Sequence, residues 1–289
     1  MMEGTKGNDP EKAVVTAALT GALTTRDQCE YIPYTPEEIA EDAAAAREAG
    51  AAVVHVHART PEGAPTFERE TYAAIQEAVR ERTDVVLNLS TGAVGVPVEK
   101  RLEYVREVAP EVAALNMGSM NYAKYSDSRE EFVFDMVFEN PFAEIRQFVR
   151  AMDEAGVTPE LECFDTGHVG NVRPLLEAGD LEPPLQFSLI MGVLGGIPAS
   201  VENLARQVRA LPPDSTWQVI GIGRDQWPLV GAALAMGGNV RVGLEDNFYL
   251  PDGGMATNPE LVEHAVDMVH AVGREPATPD EAREILGVE

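Results

Sequence analysis

The sequence predicts an α/β protein built as a single (β/α)8 TIM barrel. Three observations carry that prediction. Short runs of β-branched and apolar residues alternate with longer amphipathic stretches, about eight of each, and such alternation means a parallel sheet with helical crossovers. The pattern occupies about 250 residues, the usual length of a closed barrel. Polar and ionisable residues collect where the predicted strands end, while the strand beginnings are mostly apolar. A doubly wound open sheet is the competing arrangement, but no GxGxxG opens the first helix. No linker divides the chain. Residues 13–289 read as one domain behind a short polar lead, 1–12, which is expected to be disordered.

Each element follows from local signals. Residues 14–20 form the first strand. Thr35-Pro36-Glu37-Glu38 starts a helix, with Thr at the N-cap, Pro at N1 and Glu at N3, and Gly50 ends it. The second strand covers 52–58, and a helix covers 68–82. The third strand, 85–90, precedes a helix at 99–108. The fourth strand, 113–117, leads into a long polar loop, 121–131, and a helix at 142–155 closed by Gly156. A fifth strand at 159–164 and a helix at 169–178 follow. The sixth strand, 185–191, runs to Gly192 and a helix over 200–210. The seventh, 216–220, precedes a helix at 229–236. The eighth strand, 239–245, is followed by helices at 260–272 and 280–286.

Composition limits the function. The 289 residues are 45% hydrophobic and 24% charged, enough for a large core. The net charge of -26 opposes binding to nucleic acid or to an anionic membrane, since both need a cationic surface. An anionic substrate would have to be met by local arginines working against the global field. Cys29 and Cys163 form no CxxC pair, so no disulfide framework is expected. No apolar run is long enough for a membrane span, and residues 1–11 lack the apolar segment of a signal peptide, so a cytoplasmic protein is expected.

The densest chemical signal is Val53-Val54-His55-Val56-His57-Ala58-Arg59. Side chains two apart on a strand share a face, so His55 and His57 project together. They begin a metal site, or one packs in the core and the other caps the strand end. A barrel brings strand eight beside strand one, which puts Glu245 within reach of both imidazoles. Two His and one Glu leave an open coordination position, as catalytic zinc sites do. Iron(II) on a two-His-one-carboxylate triad is the rival metal. An ion pair with Arg241, four residues earlier, is the plain alternative for Glu245.

Other strand ends add to the site. Arg241, Asp246 and Glu162 are expected near the metal, where a carboxylate beside an arginine can accept a proton from an acidic C–H. Ser90, Thr91 and Gly92 offer a hydroxyl and backbone amides for a carboxylate or oxyanion, or merely punctuate the strand end. Asn116 ends strand four. Gly195-Gly196 admits a phosphate close to the backbone, although a Gly pair alone is weak evidence. His168 is either a further metal ligand or a loop hydrogen-bonder, and its place past Gly167 favours the loop. Cys163 is expected in the core. His264 and His270 are expected at the surface or in packing.

These stretches carry a family resemblance. Val15-Thr16-Ala17-Ala18-Leu19-Thr20-Gly21, His55-Val56-His57-Ala58-Arg59, Asn88-Leu89-Ser90-Thr91-Gly92, Leu115-Asn116-Met117-Gly118, residues 192–198, Gly221-Ile222-Gly223-Arg224 and Arg241-Val242-Gly243-Leu244-Glu245-Asp246-Asn247 resemble the β-keto acid cleavage enzymes. The resemblance covers nearly the whole chain. It implies a zinc (β/α)8 barrel in which a β-keto acid and acetyl-CoA give acetoacetate and a new acyl-CoA. It implies zinc on His55, His57 and Glu245, with the keto acid held on the metal. Asp246 is then the general base, tuned by Arg241 and Glu162. Ser90, with Thr91, Gly92 and Asn116, holds the substrate's carboxylate end or an oxyanion. Gly195, Gly196 and Arg224 are the positions expected to bind the CoA co-substrate. A homotetramer is also implied.

Two positions depart from the family pattern. Members acting on an amino-substituted substrate resemble this chain around Thr20-Gly21-Ala22 but carry Glu where this chain has Leu23. A cationic substrate side chain is therefore disfavoured, and a neutral or apolar one expected. Ala114 stands where some relatives have a hydroxyl, which removes one substrate contact. Two other functions remain open at this stage: a zinc hydrolase or aldolase on the same barrel, and a non-catalytic acyl-CoA or metal-sensing module.

Overall fold

Eight parallel strands close into a barrel in which each strand pairs with its neighbours in chain order. They are Val15–Thr20 (β1), Val53–Val56 (β2), Val86–Leu89 (β3), Val112–Asn116 (β4), Thr158–Cys163 (β5), Leu185–Met191 (β6), Ser215–Gly221 (β7) and Asn239–Val242 (β8). The computed structural model describes residues 8–126 and 128–288. Among the described residues no helix is long and apolar enough to cross a membrane.

Strand alternation divides the side chains into two populations. Outward residues such as Val54, Leu87, Leu115 and Leu189 are buried with Ile39, Ile75, Leu102 and Phe148 of the surrounding helices, forming the main core. At the strand beginnings, Val14, Val53, Val86 and Val112 pack with Ala277 and Ala282, so the final helix, Pro279–Leu286, closes that end. Inside the barrel lies a polar layer. Glu160 accepts hydrogen bonds from Asn88, Ser188 and Gln218, and Gln218 accepts one from Thr16. A buried carboxylate needs such donors, because without them it would have to neutralise.

The helix starts follow capping chemistry. Thr35 accepts from the Glu38 amide at 3.2 Å, and the Glu38 carboxylate returns the bond to the Thr35 amide at 3.0 Å. The helix Pro36–Glu48 therefore begins where the Thr-Pro-Glu-Glu sequence requires. The predicted 169–178 helix is two short ones, Thr166–Gly170 and Val172–Glu177, because the chain bends at Asn171, whose side chain donates to Met117 O at 2.7 Å.

Three expectations need correction. The stretch 121–131 is not a loop: Met120–Ser126 and Glu131–Phe138 pair as an antiparallel hairpin over the strand ends. The period-two run Phe132-Val133-Phe134-Asp135-Met136-Val137-Phe138 is the overlooked signal. The eighth strand stops at Val242, so Glu245 lies beyond it in a turn. The described part of the polar lead is tied down: Asn8 bridges Trp217 and Asn239, and Lys12–Ala13 pairs with Glu275–Pro276. Residues 1–7 lie outside the described part of the chain.

Asn258, fully buried, joins the ends of β8 and β1. Its side chain accepts from Leu244 N at 2.8 Å and donates to Leu19 O at 3.0 Å and to Asp42 at 2.6 Å. Asn258→Ala strands both backbone groups without water and is expected to destabilise the fold by about 3 kcal/mol. Denaturant unfolding checks this; a loss under about 1 kcal/mol would show that the two strand ends hold without it.

Candidate active site

The turn after β8 builds the centre of the site. Gly243, at φ 136°, lets the chain pass so close to β1 that a Cβ there would sit 2.3 Å from Ala18 O. Glu245 N then donates to Ala18 O at 3.1 Å, and the Glu245 side chain lies over Gly21. Gly21 has no side chain for a physical reason: a Cβ there would meet Glu245 Cγ at 2.6 Å. Across β1, His55 Nε2 stands 3.5 Å from Glu245 Oε2, and His57 Nε2 stands 3.4 Å from Glu245 Oε1.

The cluster fits a metal ion. One ligand atom from each of His55, His57 and Glu245 lies within 4.8 Å of the others. His55 Nε2 and Glu245 Oε2 are buried and have no hydrogen-bond partner, which a buried polar atom rarely tolerates unless an ion or water completes it. Burial, with Arg241 nearby, pushes the His55 imidazole down to about 3, so it is neutral and has a lone pair to give. Burial opposes ionisation of Glu245, yet Arg241 and the two imidazoles hold its carboxyl well below the usual range. Two imidazoles and a carboxylate are the donor set of a catalytic divalent site.

Arg241 organises the carboxylates. Its guanidinium bonds Asp246 through two nitrogens, each at 2.9 Å, and Glu245 at 2.6 Å, with Glu162 at 3.6 Å. Glu245 thus has both of its expected partners, the imidazoles and Arg241. Arg241 Nη1 keeps no hydrogen bond of its own. Burial raises the Asp246 carboxyl against the pull of Arg241. Burial and the Glu160 carboxylate beneath it raise Glu162 further. Two carboxylates with raised affinity for protons beside an arginine suit proton transfer near neutral pH.

A cavity of about 440 Å³ opens above this cluster and contains most of the expected site: His57, Glu162, Arg241, Glu245 and Asp246, with Ser90, Gly92, Asn116 and Leu23. A Cβ on Gly92 would lie 3.3 Å from Asn116 Nδ2 and 3.6 Å from Ser90 Oγ, so these groups converge on one side. Asn116 Oδ1 is buried without a partner. The remaining wall is apolar and includes Phe138, Phe164, Ile190 and Ile220. Arg59 holds the loop that carries Leu23, donating to Gly21 O at 2.8 Å and Thr24 O at 2.6 Å.

Other expected positions fall outside the cavity wall. The Thr91 hydroxyl turns away and donates to Ala114 O, tying β3 to β4. Gly195 and Gly196 have backbone reasons for being glycine: a Cβ would lie 1.9 Å from Asn121 O at the first and 2.7 Å from Phe164 O at the second. Arg224 is exposed, over the Tyr249 ring at 5.6 Å. His168 Nδ1 accepts from Phe164 N at 3.3 Å, so it serves the loop and stands apart from the metal cluster. Cys163 is buried and free, His264 packs edge-on against Trp227 at 4.5 Å, and His270 pairs with Glu275 at 3.3 Å. Sequence reasoning missed Tyr122, Met136 and Phe138, which the hairpin lowers into the cavity.

A closed parallel barrel whose strand ends hold ligating, proton-transferring and substrate-sized features is an enzyme of the TIM-barrel class. Residues 12–288 match the model of the beta-keto acid cleavage enzymes, and the chain belongs to that family. It is 40% identical over 281 residues to the 3-keto-5-aminohexanoate cleavage enzyme of Fusobacterium nucleatum subsp. nucleatum, covering 96% of this chain and 98% of that one. It is 37% identical to the 3-dehydrocarnitine:acetyl-CoA trimethylamine transferase of Rhizobium meliloti, covering 94% and 95% of the two chains. Among solved structures, apo ObcA superposes with a TM-score of 0.75 at 22% identity, covering 89% of this chain and 66% of ObcA, and shares its fold.

Proposed function

We propose that this enzyme condenses a β-keto acid with acetyl-CoA to give acetoacetate and a new acyl-CoA, with zinc on His55, His57 and Glu245. The observation that carries the proposal is the meeting of a His-His-Glu donor set with the Arg241–Asp246 pair on the floor of one cavity. Zinc held there by His55, His57 and Glu245 would supply Lewis acidity for enolising the keto acid. Asp246, held by Arg241, removes the proton from the carbon between carboxylate and ketone. Arg241 Nη1, which makes no hydrogen bond and stands 3.6 Å from Glu162, is available to the resulting negative charge. Ser90 and Asn116 hold the substrate's carboxylate end. Arg224, exposed beyond the end of β7, would meet phosphates of CoA.

A panel of β-keto acids incubated with acetyl-CoA tests the reaction, read as acetoacetate and new acyl-CoA. A chelator is expected to abolish turnover, and added zinc to restore it. Keto-acid breakdown that needs no acetyl-CoA would instead establish a hydrolase or aldolase.

The apolar wall and Leu23 support a neutral or apolar substrate side chain. Leu23→Glu is expected to lower kcat/KM for such a substrate about fivefold, the worth of about 1 kcal/mol of half-buried apolar contact. Leu23 is half exposed, so the fold should tolerate the change. Improved turnover of an apolar keto acid by this variant would overturn the pocket assignment.

A further inference from the structure

Tyr122 is a tyrosine whose ring is packed but whose hydroxyl has no hydrogen-bond partner among the described residues. The ring is held by Phe134 at 5.4 Å and Phe138 at 5.9 Å between centroids, both from the opposite strand of the hairpin. The residue lines the active-site cavity, and among the described residues no group hydrogen-bonds its phenol. Burial pushes the phenol up to about 12, and the Glu245, Asp246 and Glu162 carboxylates add to the shift, so it stays protonated as an O–H donor. Tyr122 is partly exposed, and the space it borders is the active-site cavity, which leaves its hydroxyl free to bond what binds there.

We propose that Tyr122 is a catalytic hydrogen-bond donor to the oxyanion that forms on the acetyl thioester. This rests on the acetyl-transfer reading of the same cavity. The keto acid's oxygens already have the His-His-Glu cluster, Arg241, Ser90 and Asn116 on the barrel floor. The thioester enters from above, through the mouth that the hairpin covers, and Tyr122 is a donor on that covering element.

The step balances as follows. Asp246 takes the proton, and the keto-acid carbanion attacks the thioester carbonyl carbon. A C–C bond forms and the C=O π pair moves onto oxygen, where the Tyr122 O–H donates without giving up its proton. Collapse of the oxyanion restores C=O and expels CoA thiolate. The thiolate then attacks the original ketone carbon, and the C–C bond to the original α-carbon breaks. That releases the new acyl-CoA and the acetoacetate carbanion, which recovers the proton from Asp246.

The two halves of the reaction can be read separately. Exchange of the α-proton of a β-keto acid with deuterated water needs Asp246 but no acetyl-CoA. Tyr122→Phe keeps the ring packing. It is expected to leave exchange and bound metal unchanged while lowering kcat for acetyl transfer about 10²-fold, the usual worth of one oxyanion donor. Unchanged acetyl transfer overturns the proposal. So does an equal loss of exchange and transfer, since that would place the phenol's role before the thioester step or in structure alone. If the wild-type enzyme exchanges the proton but transfers acetyl from no thioester, the acetyl-transfer reading itself fails, and the role of Tyr122 with it.

Discussion

Replacing His57 by alanine is expected to reduce bound metal from stoichiometric to near zero and to lower turnover by about 10³-fold. Removing one of three ligands leaves two, too few for tight binding of a divalent ion with an open position. Loss of Lewis acidity costs several kcal/mol of transition-state stabilisation, and about 4 kcal/mol corresponds to about 10³-fold. The fold should survive, because His57 lies just past β2, where its side chain meets Glu245 at 3.4 Å and the His55 ring and is not part of the outer core. Elemental analysis of the purified variant and the coupled acetoacetate assay give the two readings. Full metal content in His57→Ala would remove the His-His-Glu site from the mechanism.

Asp246→Asn is expected to behave differently. Metal content should stay at the wild-type level while kcat falls by about 10³-fold, within the range for loss of a general base. The amide keeps one acceptor for Arg241, and Arg241 retains Glu245 at 2.6 Å and Glu162 at 3.6 Å, so the cluster stays charge-paired. α-Proton exchange should fall together with overall turnover, in contrast to Tyr122→Phe, which separates them. Unchanged turnover in Asp246→Asn would remove Asp246 as the general base.

The barrel was legible because its causes are local. Alternating apolar strands and amphipathic helices, a capping box at Thr35-Pro36-Glu37-Glu38 and glycine ends at Gly50 and Gly156 are properties of short segments. His55 and His57 were legible for the same reason, since the period of a strand puts both on one face. The hairpin was obscured because its strands are mixed with polar residues and its inner face packs on cavity walls that only the closed barrel brings together. The backbone roles of Thr91 and of the Gly195-Gly196 pair, expected as substrate-binding and CoA-binding positions, were hidden because a hydroxyl or a glycine looks the same in sequence whether it meets a ligand or a backbone. At Gly195 the neighbour is Asn121 O, 74 residues earlier in the chain (195 minus 121).

By itself the sequence determined the strand that carries His55 and His57, the order of the eight strands, and the residue types available at their ends. Those follow from periodicity and propensity, which act within a few residues. The tertiary structure alone decided that Glu245 reaches the histidines from a turn rather than from a strand. Gly243 has to pass within touching distance of Ala18, and Gly21 has to leave room for the Glu245 side chain. It also decided that Arg241 would bind three carboxylates at once and that Tyr122 would hang over them from the hairpin. These are contacts between segments far apart in the chain, and close packing and charge pairing fix them only when the barrel closes.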